Sequence, residues 1–169
     1  VQTLCDDVAE GEVVSPANLN CPGQVVVSGH AKAVERVVAA ARGYGAKMAK
    51  QLAVSVPSHS VLMAVVQEPL HDYMKGLSWS MPIVPIIHNA SVSEATSVTE
   101  LQELLVAQLV APVRWVESMQ YIASKNINVF LECGPGNILK SLGKRILKNA
   151  DNMDIGSIEL MNKAVESMR

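Results

Sequence analysis

The sequence predicts an α/β protein in two parts, and two patterns support this prediction. In residues 1–56 the predicted elements run helix, strand, strand, helix, strand, which matches a ferredoxin-like βαββαβ unit without its first strand. In residues 57–169 strands alternate with helices, an order typical of a mostly parallel sheet covered by helices. We therefore expect an incomplete ferredoxin-like subdomain at 1–56, followed by part of a larger α/β subdomain at 57–169.

Changes in hydrophobic periodicity define the elements of the first subdomain. Apolar residues at helical spacing predict a helix over residues 1–10, which has no N-terminal cap. Two β-branched runs, 12–19 and 24–28, predict a hairpin. An amphipathic helix around 34–41 is ended by glycines, and residues 47–56 are expected to form a strand. The uncapped helix and the missing first strand suggest that the chain is part of something longer.

The second subdomain opens with a predicted helix over residues 58–77, bent or ended near Pro69. A short buried strand is expected at 83–87. Ser97 and Glu100 form a capping box, with an N-cap hydroxyl and an acidic residue three positions later. Such a cap is worth about 1 kcal/mol, so it fixes the start of the next helix.

The helix that Ser97 opens carries leucines on one stripe, and the next position on that stripe is the polar Gln108. Pro112 is expected to start another helix. Residues 128–133 predict a strand that leads into a Gly-Pro-Gly turn and a strong helix over 137–148. A weak strand at 155–158 and a short terminal helix complete the predicted fold.

Composition excludes several functional classes. The chain is 49% hydrophobic and 18% charged with a net charge of −2, so neither disorder nor binding of nucleic acid through phosphate neutralisation is expected. No apolar run approaches the roughly 18 residues of a membrane span, and no signal peptide precedes the first helix. The three cysteines lack C-x-x-C spacing and the four histidines lack metal-ligand spacing. We expect a cytoplasmic protein with reduced thiols, no membrane association and no metal site.

His59 is the first candidate for chemistry, because it follows the proline turn at Pro57 where an apolar stretch begins. A histidine at a helix start feels the positive end of the helix dipole, which favours the neutral imidazole that a general base needs. The alternative is an ordinary surface histidine near a loop.

Four motifs, in this order, resemble the malonyl-CoA:acyl-carrier-protein transacylase family of type II fatty-acid synthesis. They are V-V-S-P-A-N-L-N-C-P-G-Q-V-V-V-S-G-H (13–30), S-V-P-S-H-S-V-L-M (55–63), Q-L-V-A-P-V-R-W (108–115) and E-C-G-P-G-N-I-L (132–139). The resemblance covers residues 1–150 and corresponds to the C-terminal half of the family. It implies an α/β-hydrolase-like acyltransferase subdomain with an inserted ferredoxin-like subdomain.

The resemblance also implies a chemistry without metal or bound organic cofactor. A serine on a G-H-S-x-G elbow attacks malonyl-CoA with a histidine as base, and the acyl-enzyme passes malonate to the phosphopantetheine thiol of acyl carrier protein. The base maps onto His59, and the group that orients it maps onto the backbone carbonyl of Gln108. Gln108 at the frayed end of its helix, facing water, is the alternative.

Substrate and partner contacts are implied in the same way. The family's hairpin edge faces acyl-CoA, so Asn18 and Gln24 are candidate substrate ligands, although Asn, Pro and Gly are also the ordinary residues of a turn. Lys144 and Arg145 are candidate docking residues for the acidic carrier protein, and a solvated helix face is the alternative. Gly134-Pro135-Gly136 is weak support for a phosphate loop and more typical of a structural turn.

The sequence contains no G-x-S-x-G motif. Residues 28–32, S-G-H-A-K, begin like the elbow but place Ala31 at the nucleophile position, so they are interpreted as a decoy. The family's oxyanion loop and malonate-binding arginine also belong to the N-terminal half, which is the expected partner of this chain. By itself the chain is expected to be inactive. Ala111 departs from the family's usual Asn, which affects loop detail rather than chemistry.

Two rival functions stay open from the sequence. One is the acyltransferase domain of a polyketide synthase, which shares the fold and the serine-histidine chemistry. The other is a non-catalytic fragment or paralogue that only binds carrier protein, which the absent serine favours.

Overall fold

The computed structural model describes residues 1–168. Within them lie seven α-helices and four strands. In chain order they are α1 (Gln2–Val8), β1 (Val14–Cys21), β2 (Gln24–Gly29), α2 (Ala31–Ala40), α3 (Gln67–Lys75), α4 (Val98–Ala107), α5 (Trp115–Ser124), β3 (Val129–Glu132), α6 (Ile138–Ile146), β4 (Asp151–Asp154) and α7 (Ile158–Ser167). Two 3₁₀ helices, Ala41–Tyr44 and Val61–Val66, precede and follow the segment that joins the two parts. None of these helices is long and apolar enough to cross a membrane.

The predicted hairpin is confirmed, with β1 and β2 antiparallel. Cys21 pairs with Gln24, so only Pro22 and Gly23 form the turn, and Gly23 adopts a positive φ of 79°. Proline followed by a residue with positive φ is the pattern of a type II turn, which glycine tolerates best. The helices α1 and α2 pack beside the hairpin. Their shared core is built from small and aliphatic side chains, namely Leu4, Cys5, Val14, Ala33, Val37 and Ala41.

The strand predicted at 47–56 is wrong. This segment carries no strand, and the apolar side chains of Met48, Leu52, Val54 and Val56 are exposed. A strand forms only when its backbone groups find a neighbouring strand. Within residues 1–168 no strand lies beside this segment to pair with it.

The strand predicted at 83–87 is also wrong, since Ile83 is fully exposed and Val84 is 72% exposed. The helix predicted at 58–77 divides into the 3₁₀ helix Val61–Val66 and α3. Pro69 does not end α3, because it is the third residue of that helix. There a backbone N–H has no partner within the helix, so its absence in proline costs nothing.

The third and fourth strands form a parallel pair, from Val129 opposite Asp151 to Glu132 opposite Asp154. The strand expected at 155–158 therefore lies four residues earlier, at β4. The helix α6 crosses between these strands and packs closely on β4. A Cβ atom added at Gly143 would lie 1.9 Å from the buried side-chain oxygen of Asn152.

The loop between α4 and α5 contacts β1 through backbone hydrogen bonds. Val113 donates its N–H to Ala17 O at 2.7 Å and accepts from the N–H of Leu19 at 2.8 Å, so the chain at Val113 runs parallel to β1 beside Asn18. The loop between α4 and α5 is thereby attached to the open edge of the hairpin.

Candidate active site

His59 lies in a turn between the joining segment and the 3₁₀ helix at Val61. It is half-buried and has a φ of 59°. Left-handed backbone is uncommon for a residue other than glycine, and such strained positions often occur at functional sites. Ser60, which is 1% exposed, caps the 3₁₀ helix by accepting the N–H of Leu62 at 3.4 Å. The histidine is therefore held between a proline turn and a buried cap.

The imidazole of His59 contacts the loop that follows α4. Its Nδ1 lies 2.9 Å from the backbone oxygen of Gln108 and 3.1 Å from that of Ala111. Both partners are carbonyl oxygens, which only accept, so Nδ1 must carry the hydrogen. In the neutral ring the lone pair is then on Nε2, and no group in residues 1–168 hydrogen-bonds Nε2. This tautomer is the one that can accept a proton at Nε2.

His59 is expected at the positive, N-terminal end of a helix, but its ring contacts the negative, C-terminal end of α4. The helix that follows His59 is a 3₁₀ helix of 6 residues, and the ring instead faces the C-terminal end of α4, where Gln108 is the C-cap. That end of a helix carries partial negative charge.

The loop that holds His59 is itself fixed from two sides. Asn89 donates from Nδ2 to the backbone oxygen of Pro112 at 3.2 Å and accepts the N–H of Arg114 at 3.0 Å. Val113, between those residues, is paired with β1. Arg114 donates from Nε and Nη2 to the two carboxylate oxygens of Glu117, and this pairing lowers the pKa of the Glu117 carboxyl.

Sequence reasoning does not identify Asn89 or the carbonyl of Ala111. A backbone oxygen has no sequence signature, so Ala111 could be suspected only for its loop position. Asn89 has a weak signal, because it is a polar residue shortly after the apolar run 83–87. Ala111 contacts His59 through its backbone, which any residue provides, so the departure from the family's Asn leaves this contact intact.

The candidate substrate residues lie on the hairpin. Asn18 is beside Val113, next to the loop that holds His59. Gln24 pairs with Cys21 at the hairpin tip, about 10 Å further along the strand at roughly 3.3 Å per residue. The side chain of Gln24 is exposed, and its Oε1 accepts from Arg145 Nη1 at 2.6 Å. The structure thus brings Gln24 together with Arg145, a residue predicted for a different role.

Lys144 is exposed near the C-terminus of α6. It lines an open cavity of about 650 Å³ whose other walls come from β3, β4 and the end of α7. The neighbouring Lys140 forms an ion pair with Asp154 at 2.5 Å. The hydrogen bond from Lys140 holds the pKa of Asp154 below its usual range, with a smaller contribution from Lys144. Lys144 forms no ion pair within residues 1–168.

The Gly-Pro-Gly turn before α6 has a structural explanation. The Glu132 carboxylate at the end of β3 accepts the backbone N–H groups of Leu139 at 3.1 Å and Lys140 at 2.8 Å. The N-terminus of α6 is therefore already occupied by a negative group, and a phosphate would have to displace it. The decoy segment 28–32 is likewise structural, since His30 Nδ1 accepts the N–H of Val13 at 2.9 Å.

Comparison with known proteins places this geometry in context. A family model described as an acyl transferase domain matches residues 4–167. The malonyl CoA-acyl carrier protein transacylase of Salmonella typhimurium is 44% identical over 147 residues, which are 87% of this chain and 48% of that protein.

Solved structures agree with that match. A transacylase of the same name from Coxiella burnetii has a TM-score of 0.94 at 42% identity, over 98% of this chain and 52% of that one. A malonyl-transacylase in complex with a type II PKS acyl-carrier protein has a TM-score of 0.95 at 38% identity, over 98% of this chain and 54% of that one. The chain spans about half the length of the relatives it matches.

Proposed function

The chain belongs to the acyl transferase domain family, and from that membership we propose that it is the base-bearing part of an enzyme that moves a malonyl group from CoA to acyl carrier protein. The observation that carries the proposal is the contact of His59 Nδ1 with two carbonyl oxygens. It leaves Nε2 as a proton acceptor, which is what a serine-based acyltransferase requires of its histidine.

His59 has a defined role in each half of the proposed reaction. In the first half, Nε2 takes the proton of a serine hydroxyl while the serine oxygen attacks the malonyl thioester, and the proton then goes to the departing CoA thiolate. In the second half, Nε2 takes the proton of the phosphopantetheine thiol, whose sulfur attacks the acyl ester. The proton returns to the serine oxygen as the ester breaks. The serine comes from residues outside this sequence.

The carbonyls of Gln108 and Ala111 are positioning groups in this proposal. They keep the hydrogen on Nδ1 in both halves of the reaction and face the ring with the negative end of α4. In the proposed reaction neither protein nor substrate changes oxidation state, so the chemistry calls for no redox cofactor.

We also propose a division into a ferredoxin-like subdomain at 1–56 and part of an α/β-hydrolase-like subdomain at 57–169. On this division Asn18 and Gln24 contact acyl-CoA from the hairpin. Lys144 contacts acidic carrier protein, because its ammonium is exposed and forms no ion pair within residues 1–168. The family resemblance implies the same docking role for Arg145, but the contact of Arg145 with Gln24 supports a role in positioning that side chain.

The remaining part of the acyltransferase fold is the proposed partner of the exposed apolar segments. Exposed apolar side chains are concentrated at residues 48–56, 61–66 and 77–86, and patches of this kind mark surfaces that another chain segment covers. We propose that the portion of the relatives' length that this chain does not match packs there and supplies the serine. The 169 residues alone should then show no transacylase activity in the cytoplasm or in vitro.

Covalent labelling tests the proposal. Radiolabelled malonyl-CoA should leave the 169-residue chain unlabelled and should label a fusion in which the N-terminal portion of the Salmonella relative precedes Val1. The label should pass to acyl carrier protein when it is added. A fusion that binds carrier protein but never takes up label would favour the non-catalytic rival. Equal labelling from methylmalonyl-CoA would favour the polyketide-synthase rival.

A further inference from the structure

Arg145 connects the end of α6 to the tip of the hairpin. Its Nη1 donates to the side-chain oxygen of Gln24 at 2.6 Å, and its Nη2 donates to the backbone oxygen of Pro22 at 3.2 Å. The two acceptors lie on either side of the turn at Gly23. The guanidinium therefore spans the turn, and it joins residues more than 120 positions apart in sequence.

This contact fixes which way the Gln24 amide faces. Arginine has five N–H donors and no acceptor, so the amide group that meets it must be the carbonyl oxygen. The thiol of Cys21 also donates to that oxygen, at 3.6 Å. The acceptor end of Gln24 is thus engaged, and the exposed NH2 group has no partner within residues 1–168.

We propose that Arg145 is a positioning residue for substrate, which holds Gln24 so that its NH2 donates to an acceptor oxygen of bound acyl-CoA. This rests on the proposed function, since it takes the hairpin as the acyl-CoA edge. The proposal also gives each end of the Gln24 amide its own role. The oxygen accepts from Arg145, and the NH2 group donates to the ligand. Arg145 then acts on acyl-CoA through Gln24, whereas Lys144, one residue earlier on α6, is left to meet carrier protein.

The charge and the fork of Arg145 can be separated by substitution. Arg145→Lys keeps the positive charge that carrier docking needs, but an ammonium is a point charge that does not reproduce the planar two-donor fork. Gln24→Glu keeps an acceptor for Arg145 and removes the NH2 donor. Lys148→Glu is the matched control, because it reverses an exposed charge just beyond α6 that forms no hydrogen bond to the hairpin within residues 1–168.

Side-chain NMR on the 169-residue chain tests the positioning itself. NMR relaxation of the Gln24 side-chain NH2 group should show restricted motion in the unsubstituted chain and greater motion in Arg145→Lys, with Lys148→Glu unchanged. Equal mobility of the Gln24 amide in the unsubstituted chain and in Arg145→Lys would overturn the proposal, whatever the activity of any variant.

The acylation half-reaction tests the consequence, because it proceeds without carrier protein. In the labelling-competent fusion, Arg145→Lys and Gln24→Glu should each lower kcat/KM for malonyl-CoA about 3- to 10-fold, as expected for one lost hydrogen bond. Their combination should cost no more than the larger single loss, and Lys148→Glu should have no effect. An unchanged kcat/KM for malonyl-CoA in Arg145→Lys would overturn the substrate role and leave carrier-protein docking as the role of Arg145.

A truncated substrate locates the acceptor oxygen. If it lies on the pantetheine arm, the Gln24→Glu loss should persist with malonyl-pantetheine, which lacks the nucleotide phosphates. If it lies on those phosphates, the loss should disappear with that substrate. Failure of the unsubstituted fusion to take up label would count against the proposed function, whereas the NMR result would still decide whether Arg145 orients Gln24.

Discussion

The imidazole of His59 and the backbone oxygen of Gln108 are 2.9 Å apart, and the side chain of Gln108 takes no part in that contact. Because Ala111 offers a second carbonyl at 3.1 Å, the ring is held entirely by main-chain groups. The orientation of the proposed base therefore depends on the path of the loop rather than on the identity of residue 108.

That relationship predicts unequal effects for two substitutions in the labelling-competent fusion. His59→Ala should reduce the rate of serine acylation by several orders of magnitude, because the proton acceptor is gone. Gln108→Ala should change the rate by less than about 10-fold, since the carbonyl remains. Rapid-quench measurement of the labelled enzyme reports both rates. A Gln108→Ala loss as large as that of His59→Ala would show that the side chain carries the role.

Asn89 should be needed both for the stability of the fold and for the position of the loop that contacts His59. Asn89→Ala removes both hydrogen bonds to the loop at Pro112 and Arg114, which should lower the free energy of unfolding by about 1–3 kcal/mol. It should also slow acylation in the fusion. Urea unfolding of the 169-residue chain measures the first effect and rapid-quench labelling the second.

Asn89→Asp serves as the control for Asn89→Ala. It keeps the acceptor for the Arg114 N–H but sets a carboxylate oxygen against the Pro112 oxygen. Its deficit should shrink at acid pH, where the protonated carboxyl can donate to Pro112. A loss of stability with unchanged acylation in Asn89→Ala would show that His59 is oriented without this clamp.

Gly143 should tolerate no side chain, in contrast to Gly43. Gly143→Ala drives a methyl group into Asn152, whose side chain is buried, so the free energy of unfolding should fall by about 1–3 kcal/mol. A Cβ atom added at Gly43 would meet no other atom within 4 Å, and the φ of Gly43 is not positive. Gly43→Ala should therefore be neutral or stabilising by up to about 1 kcal/mol. Thermal or urea unfolding would compare them, and equal destabilisation would argue against close packing of α6 on β4.

Lys144 should affect carrier protein alone. In the fusion, Lys144→Glu should raise KM for carrier protein and leave KM for malonyl-CoA unchanged, because the substituted charge faces the protein partner. The increase should shrink at high salt, since exposed charges are screened beyond about 8 Å at physiological ionic strength. Lys32→Glu on α2 is the matched charge reversal. Steady-state kinetics showing the same change for both lysines, or no change for carrier protein, would leave Lys144 as part of a solvated face.

The elements that the sequence predicts well are those with local signals. The capping box at Ser97 starts α4 as expected, with the Ser97 hydroxyl accepting the Glu100 N–H at 3.1 Å. The hairpin follows from two β-branched runs joined by a turn that contains Pro22 and Gly23. The strands expected at 47–56 and 83–87 are absent, because a strand is completed by its neighbours and no strand within residues 1–168 pairs with either segment.

The candidate site divides along the same line. His59 is identified from its turn, and Gln108 from a polar residue on an apolar stripe together with the family resemblance. The oxygen of Ala111 and the clamp from Asn89 depend on where a loop passes in space. The hydrogen bond from Arg145 to Gln24 joins residues more than 120 positions apart, and no local sequence pattern predicts that pairing.

The exposed segment at 83–87 has a consequence for solubility. Its sequence, I-V-P-I-I, is rich in β-forming residues and lies open to solvent, which is the composition of a segment that pairs with copies of itself in aggregates. Pro85 interrupts it and Pro82 precedes it, and proline cannot donate a hydrogen bond to a growing β-ladder. We therefore expect these two prolines to oppose self-association, and replacing Pro85 with valine should increase aggregation of the 169-residue chain.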